Sequence, residues 1–125
     1  MMLIRVYYED TDAGGIVYHS NYLNFCERAR SEYFFRKDML PLVDGAHFVV
    51  RKMSCDFISS AKFGDMIEVT TKVTQMKGSS FELLHKIYRE KELLFSATVL
   101  LVLVVDGKVK RLTKDIQNLL NSLFY

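Results

Sequence analysis

The 125-residue sequence predicts an α+β fold, an antiparallel sheet with one long helix against a face. Three observations carry this. One early stretch has helical apolar spacing. Later stretches alternate or run apolar in the manner of strands. Strands following a single helix favour segregated α+β layers over an alternating parallel arrangement. The length is read as one domain over 1–125, and half the residues are hydrophobic, enough for a real core.

Leu3 to Tyr8 reads as a short strand. From about Ser20 to Lys37 the spacing turns helical, with Tyr22, Phe25, Cys26, Ala29 and Tyr33 on one face. Cys26 and Ala29 are small, so this face can lie close to a sheet. Tyr22, Phe25 and Tyr33 are read as core rather than acyl pocket. Arg28 and Glu32 lie one turn apart, where they can pair weakly. Pro41 and Gly45 mark a loop.

His47 to Ile58 is the second strand and Asp65 to Met76 the third. In the third, Ile67, Val69, Thr71 and Val73 face one way and Glu68, Thr70, Lys72 and Thr74 the other. That alternation suits a half-exposed antiparallel strand. Lys77-Gly78-Ser79 turns the chain into a fourth strand, Ser80 to Arg89. Glu92 to Val105 is the fifth and ends at Asp106-Gly107, a turn signal. Its apolar run Val99 to Val105 reads as buried on both faces. Thr113 is an N-cap for a final helix with Ile116, Leu119, Leu120 and Leu123 on one side.

A formal charge of +2 with scattered signs argues against a nucleic-acid footprint. Cys26 and Cys55 form no disulfide or zinc pattern and are expected as buried free thiols in a reducing compartment. No basic region followed by an apolar segment opens the chain, so a secretory signal is not expected. The Val99 to Val105 run is far below the ~20 residues of a membrane-spanning helix. The expectation is a cytoplasmic protein without nucleic acid or membrane insertion.

The functional signal is Tyr7-Tyr8-Glu9-Asp10-Thr11-Asp12-Ala13-Gly14-Gly15-Ile16-Val17-Tyr18-His19. It sets two carboxylates, a glycine pair and a histidine between a strand and a helix. Glycine lets backbone approach a ligand closely. A helix start offers unpaired N–H groups and partial positive charge. Together these can attack a carbonyl and hold the charge that forms. Ordinary loops also carry Asp and Gly, and from composition alone Asp12 would be read as a turn cap.

The order of residues resembles the active-site segment of the hot-dog-fold acyl-CoA thioesterases, and especially the YbgC group of the 4-hydroxybenzoyl-CoA thioesterase family. The matching positions are Tyr8, Asp10, Asp12, Gly15, Val17, Tyr18 and Tyr22. Glu27-Arg28-Ala29-Arg30-Ser31-Glu32, Phe48-Val49-Val50-Arg51-Lys52-Met53 and Lys77-Gly78-Ser79-Ser80 also match, so the resemblance runs from about Arg5 to about Val105.

The resemblance implies a hot-dog fold, a five-stranded antiparallel sheet wrapped around the long helix. It implies homo-oligomers, dimers or dimers of dimers, with the site between subunits. Asp12 becomes the catalytic carboxylate, either a base on water or a nucleophile. A backbone N–H near His19 would polarise the thioester carbonyl, and the His19 imidazole could orient water or share a proton. Gly15, Val17 and Tyr18 would lie against the substrate, with Gly14 and Gly15 allowing the turn. Asp10 suits a structural role, accepting bonds from loop backbone, and Glu9 should be solvated.

Arg51, Lys52, Lys62 and Arg89 are candidates for the coenzyme A phosphates, and Ser79 and Ser80 for the pantetheine arm. Each has solvated surface polarity as its ordinary alternative. No cofactor is expected, since coenzyme A is part of the substrate. His47 and His85 lack metal-ligand spacing, so no metal is expected.

Gly-x-Ser-x-Gly is absent, as are phosphate-binding glycine loops. A hydroxyacyl dehydratase of the same fold would need His-Phe-Pro, whereas Ser20-Asn21 follow His19 and the sole proline is Pro41. A non-catalytic acyl-binding module partnering acyl carrier protein remains the competing reading. The YbgC group's links to the Tol-Pal envelope system and phospholipid synthesis would also allow a partner role.

Overall fold

The computed structural model describes residues 1–124. The elements are β1 (Met2–Arg5), a 3-10 turn (Tyr8–Asp10), α1 (Asn21–Phe35), β2 (Leu42–Val43), β3 (Ala46–Phe57), β4 (Met66–Met76), β5 (Phe81–Arg89), β6 (Glu92–Val105), β7 (Lys108–Lys110) and α2 (Lys114–Leu123). The strands form one antiparallel sheet in the order β1-β4-β5-β6-β3-β2, with β7 also on β6. This is the hot-dog fold, but the sheet has seven strands rather than five. The two additions are very short. β2 folds back on Ala46 and His47, and β7 pairs with Leu103–Val105 beyond the end of β5.

Apolar periodicity decides the layers. Tyr22, Phe25, Cys26, Ala29, Tyr33 and Phe34 form the buried side of α1. They meet the alternate inward residues of the sheet, among them Ile67, Val69, Phe81, Leu83, Ile87, Phe95, Val99 and Leu101. The completely buried Cys26 and Ala29 let the helix approach closely. The Cys26 thiol is pushed up to about 12 by that burial and stays protonated. Cys55 is only half-buried.

The Val99 to Val105 run is not covered on both faces throughout. Val99, Leu101, Val102 and Leu103 are buried, whereas Leu100, Val104 and Val105 are half-buried. The continuous apolar run therefore leaves part of its outer face open.

Tyr7 and Tyr8 do not continue β1. The Asp10 carboxylate accepts the Tyr7 N–H at 2.9 Å and Asp10 N–H bonds the Tyr7 carbonyl at 3.0 Å, which turns the chain instead. Thr113 caps α2 by accepting the Ile116 N–H at 3.3 Å. Beyond α2, Phe124 packs on Tyr33 and Phe34 with ring centroids 5.4 and 5.8 Å away, fixing α2 to the C-terminal half of α1. No helix among the described residues is long and apolar enough to cross a membrane.

A bulge in β6 shapes one end of the sheet. Ile87 pairs with Phe95 and Tyr88 with Leu93, so Leu94 is the extra residue. Leu94 and Phe95 are both fully buried. The Leu94 carbonyl accepts the N–H of Ile58 at 2.9 Å and of Ser59 at 3.0 Å. The end of β3 is thereby bent toward the start of α1.

Candidate active site

The segment 11–19 is held from both ends. Asp10 is buried; its carbonyl accepts the Tyr18 N–H at 3.0 Å and the Asn21 side-chain amide at 2.9 Å. With its carboxylate on Tyr7 N–H, Asp10 ties the strand exit to the helix start. Between them, Asp12 N–H bonds the Ile16 carbonyl at 2.9 Å and Gly15 N–H bonds the Asp12 carbonyl at 3.0 Å. Gly15 sits at φ +80°, a conformation that disfavours side chains. A side-chain carbon on Gly14 would lie 3.3 Å from Asp12 Oδ1, tighter than ordinary contact.

Asp12 is exposed, and its Oδ1 accepts the Gly14 N–H at 2.8 Å. That bond fixes the rotamer. Oδ2 accepts no hydrogen bond among the described residues and is open to a ligand. Asp12, Val17 and His19 line one cavity of about 300 Å³ together with Ile16, Tyr22 and Phe57. Ser59 and Ser60 close its far wall. His19 stands beside the Tyr18 ring, centroids 4.3 Å apart, and edge-on to Phe57 at 6.4 Å. The N–H groups of His19 and Ser20 have no acceptor among the described residues, so donors face solvent where α1 begins.

The wall formed by residues 57–60 is not evident from the motif, being some forty residues away in sequence. Backbone bonds bring it there. Val17 N–H donates to the Ala61 carbonyl at 2.9 Å, Ala61 N–H donates to the Tyr22 hydroxyl at 3.0 Å, and Ile16 bridges Lys62. Tyr22 is both core and cavity lining: its ring stacks on Phe95 at 5.1 Å. Phe25 and Tyr33 are core.

Arg89 departs from the phosphate-binding expectation. Its Nη1 meets Asp65 at 2.7 Å and donates to the Ser60 carbonyl at 3.1 Å, and its Nη2 meets Glu92 at 2.6 Å. These bonds, to Glu92 first and then Asp65, raise its pKa. Burial of Asp65 opposes ionisation, but the Lys62 N–H and Arg89 outweigh it and hold that carboxyl low. Arg89 is a brace for the cavity wall, with its fork already occupied. Lys62 is exposed beside Ile16; among the described residues its side chain makes no close ion pair, though its charge helps to hold the Asp65 carboxyl low.

The remaining candidates lie elsewhere in the chain. Arg51 is the exposed extra residue of a β3 bulge between Val50 and Lys52, which register with Leu101 and Leu100. Ser79 and Ser80 occupy the β4–β5 turn, next to Phe81, which registers with Leu101. The cavity lies at Phe57, which registers with Phe95. Leu101 and Phe95 are about 20 Å apart along a strand of six steps. One chain does not bring Arg51, Lys52, Ser79 or Ser80 to Asp12; strand geometry keeps them at the other end of the sheet.

Comparison with known proteins follows the same lines. Residues 14–96 match the thioesterase superfamily. An acyl-CoA thioesterase YbgC of Helicobacter pylori is 45% identical over 87 residues, which cover 70% of this chain and 65% of that protein. The chain thus spans just under two thirds of that relative's length. The Escherichia coli acyl-CoA thioester hydrolase YbgC is 41% identical over 82% of this chain and 79% of its own. A crystal structure of a probable thioesterase from Bartonella henselae superposes with a TM-score of 0.84 at 32% identity, covering 90% of this chain and 97% of that one.

Proposed function

The chain belongs to the thioesterase superfamily, and from that membership we propose that it is an acyl-CoA thioesterase. The observation that carries the reading is the meeting of Asp12 and His19 in one cavity against the open N–H groups at the start of α1. A thioester carbonyl seated there would direct its oxygen at the His19 and Ser20 N–H groups. Negative charge developing on that oxygen is stabilised by fixed donors and the helix end.

Asp12 Oδ2 is the free carboxylate oxygen. It can take a proton from the attacking water, or attack the carbonyl carbon itself to form an anhydride that water then opens. In either route the C–S bond breaks, the sulfur leaves as thiolate and takes a proton as coenzyme A, and the acyl group departs as free acid. The reaction needs no cofactor. His19, lining the same cavity, would orient the water. The buried Val17 side chain lines the cavity, whereas Gly15 and Tyr18 do not line it and Gly15 shapes the turn between Asp12 and Ile16.

The working species is a homo-oligomer. In a single chain the Asp12 cavity is open to water, its lining residues Phe57 and Ile58 are exposed, and so is Tyr18 beside His19. A second copy on the unpaired edge of β3 would cover this rim and could bring its own Arg51 and Lys52 toward the coenzyme A phosphates. Acyl carrier protein bears the same pantetheine thioester and is the protein partner this chemistry suits. Such a site belongs in the cytoplasm, where its substrates are.

The deciding assay offers short, long and aromatic acyl-CoAs to the purified protein and detects the free thiol. Turnover of at least one class, absent in Asp12→Asn, is expected. No turnover of any class by the folded protein would leave the acyl-binding module as the reading.

A further inference from the structure

We propose that a second cavity, beside the C-terminal half of α1, binds a fatty carboxylate, with its head on Arg30 and its chain among Phe34, Phe48 and Phe81. This cavity measures about 510 Å³ and shares no lining residue with the Asp12 cavity. Leu40, Leu42, Val50, Leu101 and Phe124 add to its apolar wall. The size suits a small-molecule site.

The unusual member is Arg30. It is half-buried on α1, and burial lowers its pKa, meaning that the fold holds the charge at a cost. Its Nη1 stands 3.1 Å from His85 Nε2. A guanidinium only donates, so Nε2 must accept, and the His85 proton therefore sits on Nδ1. That proton donates to Thr71 Oγ1, 3.1 Å away. His85 is completely buried, and burial together with the Arg30 charge pushes its pKa down to about 3. The partner of Arg30 is thus a neutral ring.

A neutral anchor orients the guanidinium without cancelling its charge. Among the described residues Arg30 makes no ion pair. Glu27, one turn earlier, also lines the cavity, but its Oε1 accepts the Ser31 hydroxyl at 3.2 Å. Among the described residues no buried side-chain nitrogen lacks a partner, so the unused donors of Arg30 face accessible space. A planar fork with free donors matches a carboxylate. With Glu27 nearby, a monoanion is favoured over a phosphate.

An apolar cavity with a guanidinium whose spare donors are free suits an amphiphile with one anionic head, although Glu27 in the same lining offsets part of the charge. A free fatty acid is the chemical class that the proposed reaction releases, so its role as a product site rests on that reading.

The test is calorimetric titration of the wild-type protein with decanoate and with decanol, which share a chain and differ in the head. Decanoate should bind about tenfold more tightly, as expected for a charge-assisted fork. Arg30→Gln should remove that preference while still binding decanol, which also reports that the cavity is intact. Nuclear Overhauser contacts should place the chain against the Phe34 and Phe81 rings. Equal binding of the two heads by the wild-type protein, or contacts confined to the Asp12 cavity, would overturn the proposal without requiring any variant to fold. Decanoate binding in a protein that hydrolyses no acyl-CoA would instead sink only the thioesterase reading.

Discussion

The hydroxyl of Tyr22 accepts the backbone N–H of Ala61 at 3.0 Å, joining the first turn of α1 to the loop that walls the Asp12 cavity. The Ala61 carbonyl in turn accepts Val17 N–H at 2.9 Å. One phenol thus holds three segments of the site in register. Its ring is nearly fully buried, so the bond is not shared with solvent.

Tyr22→Phe should therefore loosen the site more than the fold. The ring stack on Phe95 survives, but a buried N–H loses its acceptor, which costs about 1–3 kcal/mol. Urea unfolding should show that loss, and kcat/KM should fall by more than the loss of folded protein explains. Unchanged stability and turnover would mean that Ala61 N–H finds another acceptor.

Asp12→Asn should remove most thioester hydrolysis in a folded protein. Its amide can still receive the Gly14 N–H on its oxygen, so the turn is kept, but it neither takes a proton nor attacks. Positioned acid–base help alone is worth about 10²–10⁴-fold. Asp10→Asn should cost less activity and more stability, because the buried Asp10 carboxylate serves the Tyr7 N–H. Parallel kinetics and urea melts of the two variants decide which carboxylate is chemical; the reverse ranking would exchange their roles.

His19→Ala should lower activity less than Asp12→Asn. The residue's backbone N–H survives, and only the imidazole beside Tyr18 and Phe57 is lost. Equal losses in kcat for the two variants would make the ring essential.

Much of this arrangement is legible in local sequence. The span Glu92 to Val105 is read to the residue, because an unbroken apolar run ends at Asp106-Gly107. Thr113 announces its helix through cap chemistry, together with the apolar face of Ile116, Leu119, Leu120 and Leu123. β2 and β7 are not legible, since two or three residues form a strand only where a neighbour offers its edge. The motif places Asp12 and His19, but not Phe57 to Ser60, whose approach depends on the Leu94 bulge and on Ala61. Arg89 looks like a free cation in sequence because its partners, Asp65 and the Ser60 carbonyl, come from another strand connection.

His85 makes stability depend on pH. Its pKa is pushed from 6.5 down to about 3 by burial first and Arg30 second. The unfolded chain therefore binds a proton below about pH 6.5 that the folded chain refuses until about pH 3. The stabilisation is complete above the unfolded value and shrinks as pH falls, by about 1.4 kcal/mol per unit. Between pH 7 and pH 5 the wild-type protein should lose about 2 kcal/mol more than His85→Gln, read from urea midpoints. Identical slopes would show that the folded protein takes up the proton after all.

The edge of β3 is where a second copy should sit. On the side away from β6, β2 pairs only with Ala46 and His47, so among the described residues the backbone from Phe48 to Phe57 has no strand partner there. Val49, Val50, Met53 and Phe57 are each more than a third exposed along this edge. A long apolar edge invites pairing, and a lysine on it discourages pairing. Met53→Lys should shift sedimentation toward the monomer. If closure over the Asp12 cavity comes from the partner, thioesterase activity should fall with the oligomer fraction and return at high protein concentration. A Met53→Lys monomer that keeps full activity on dilution would show that one chain completes the site alone.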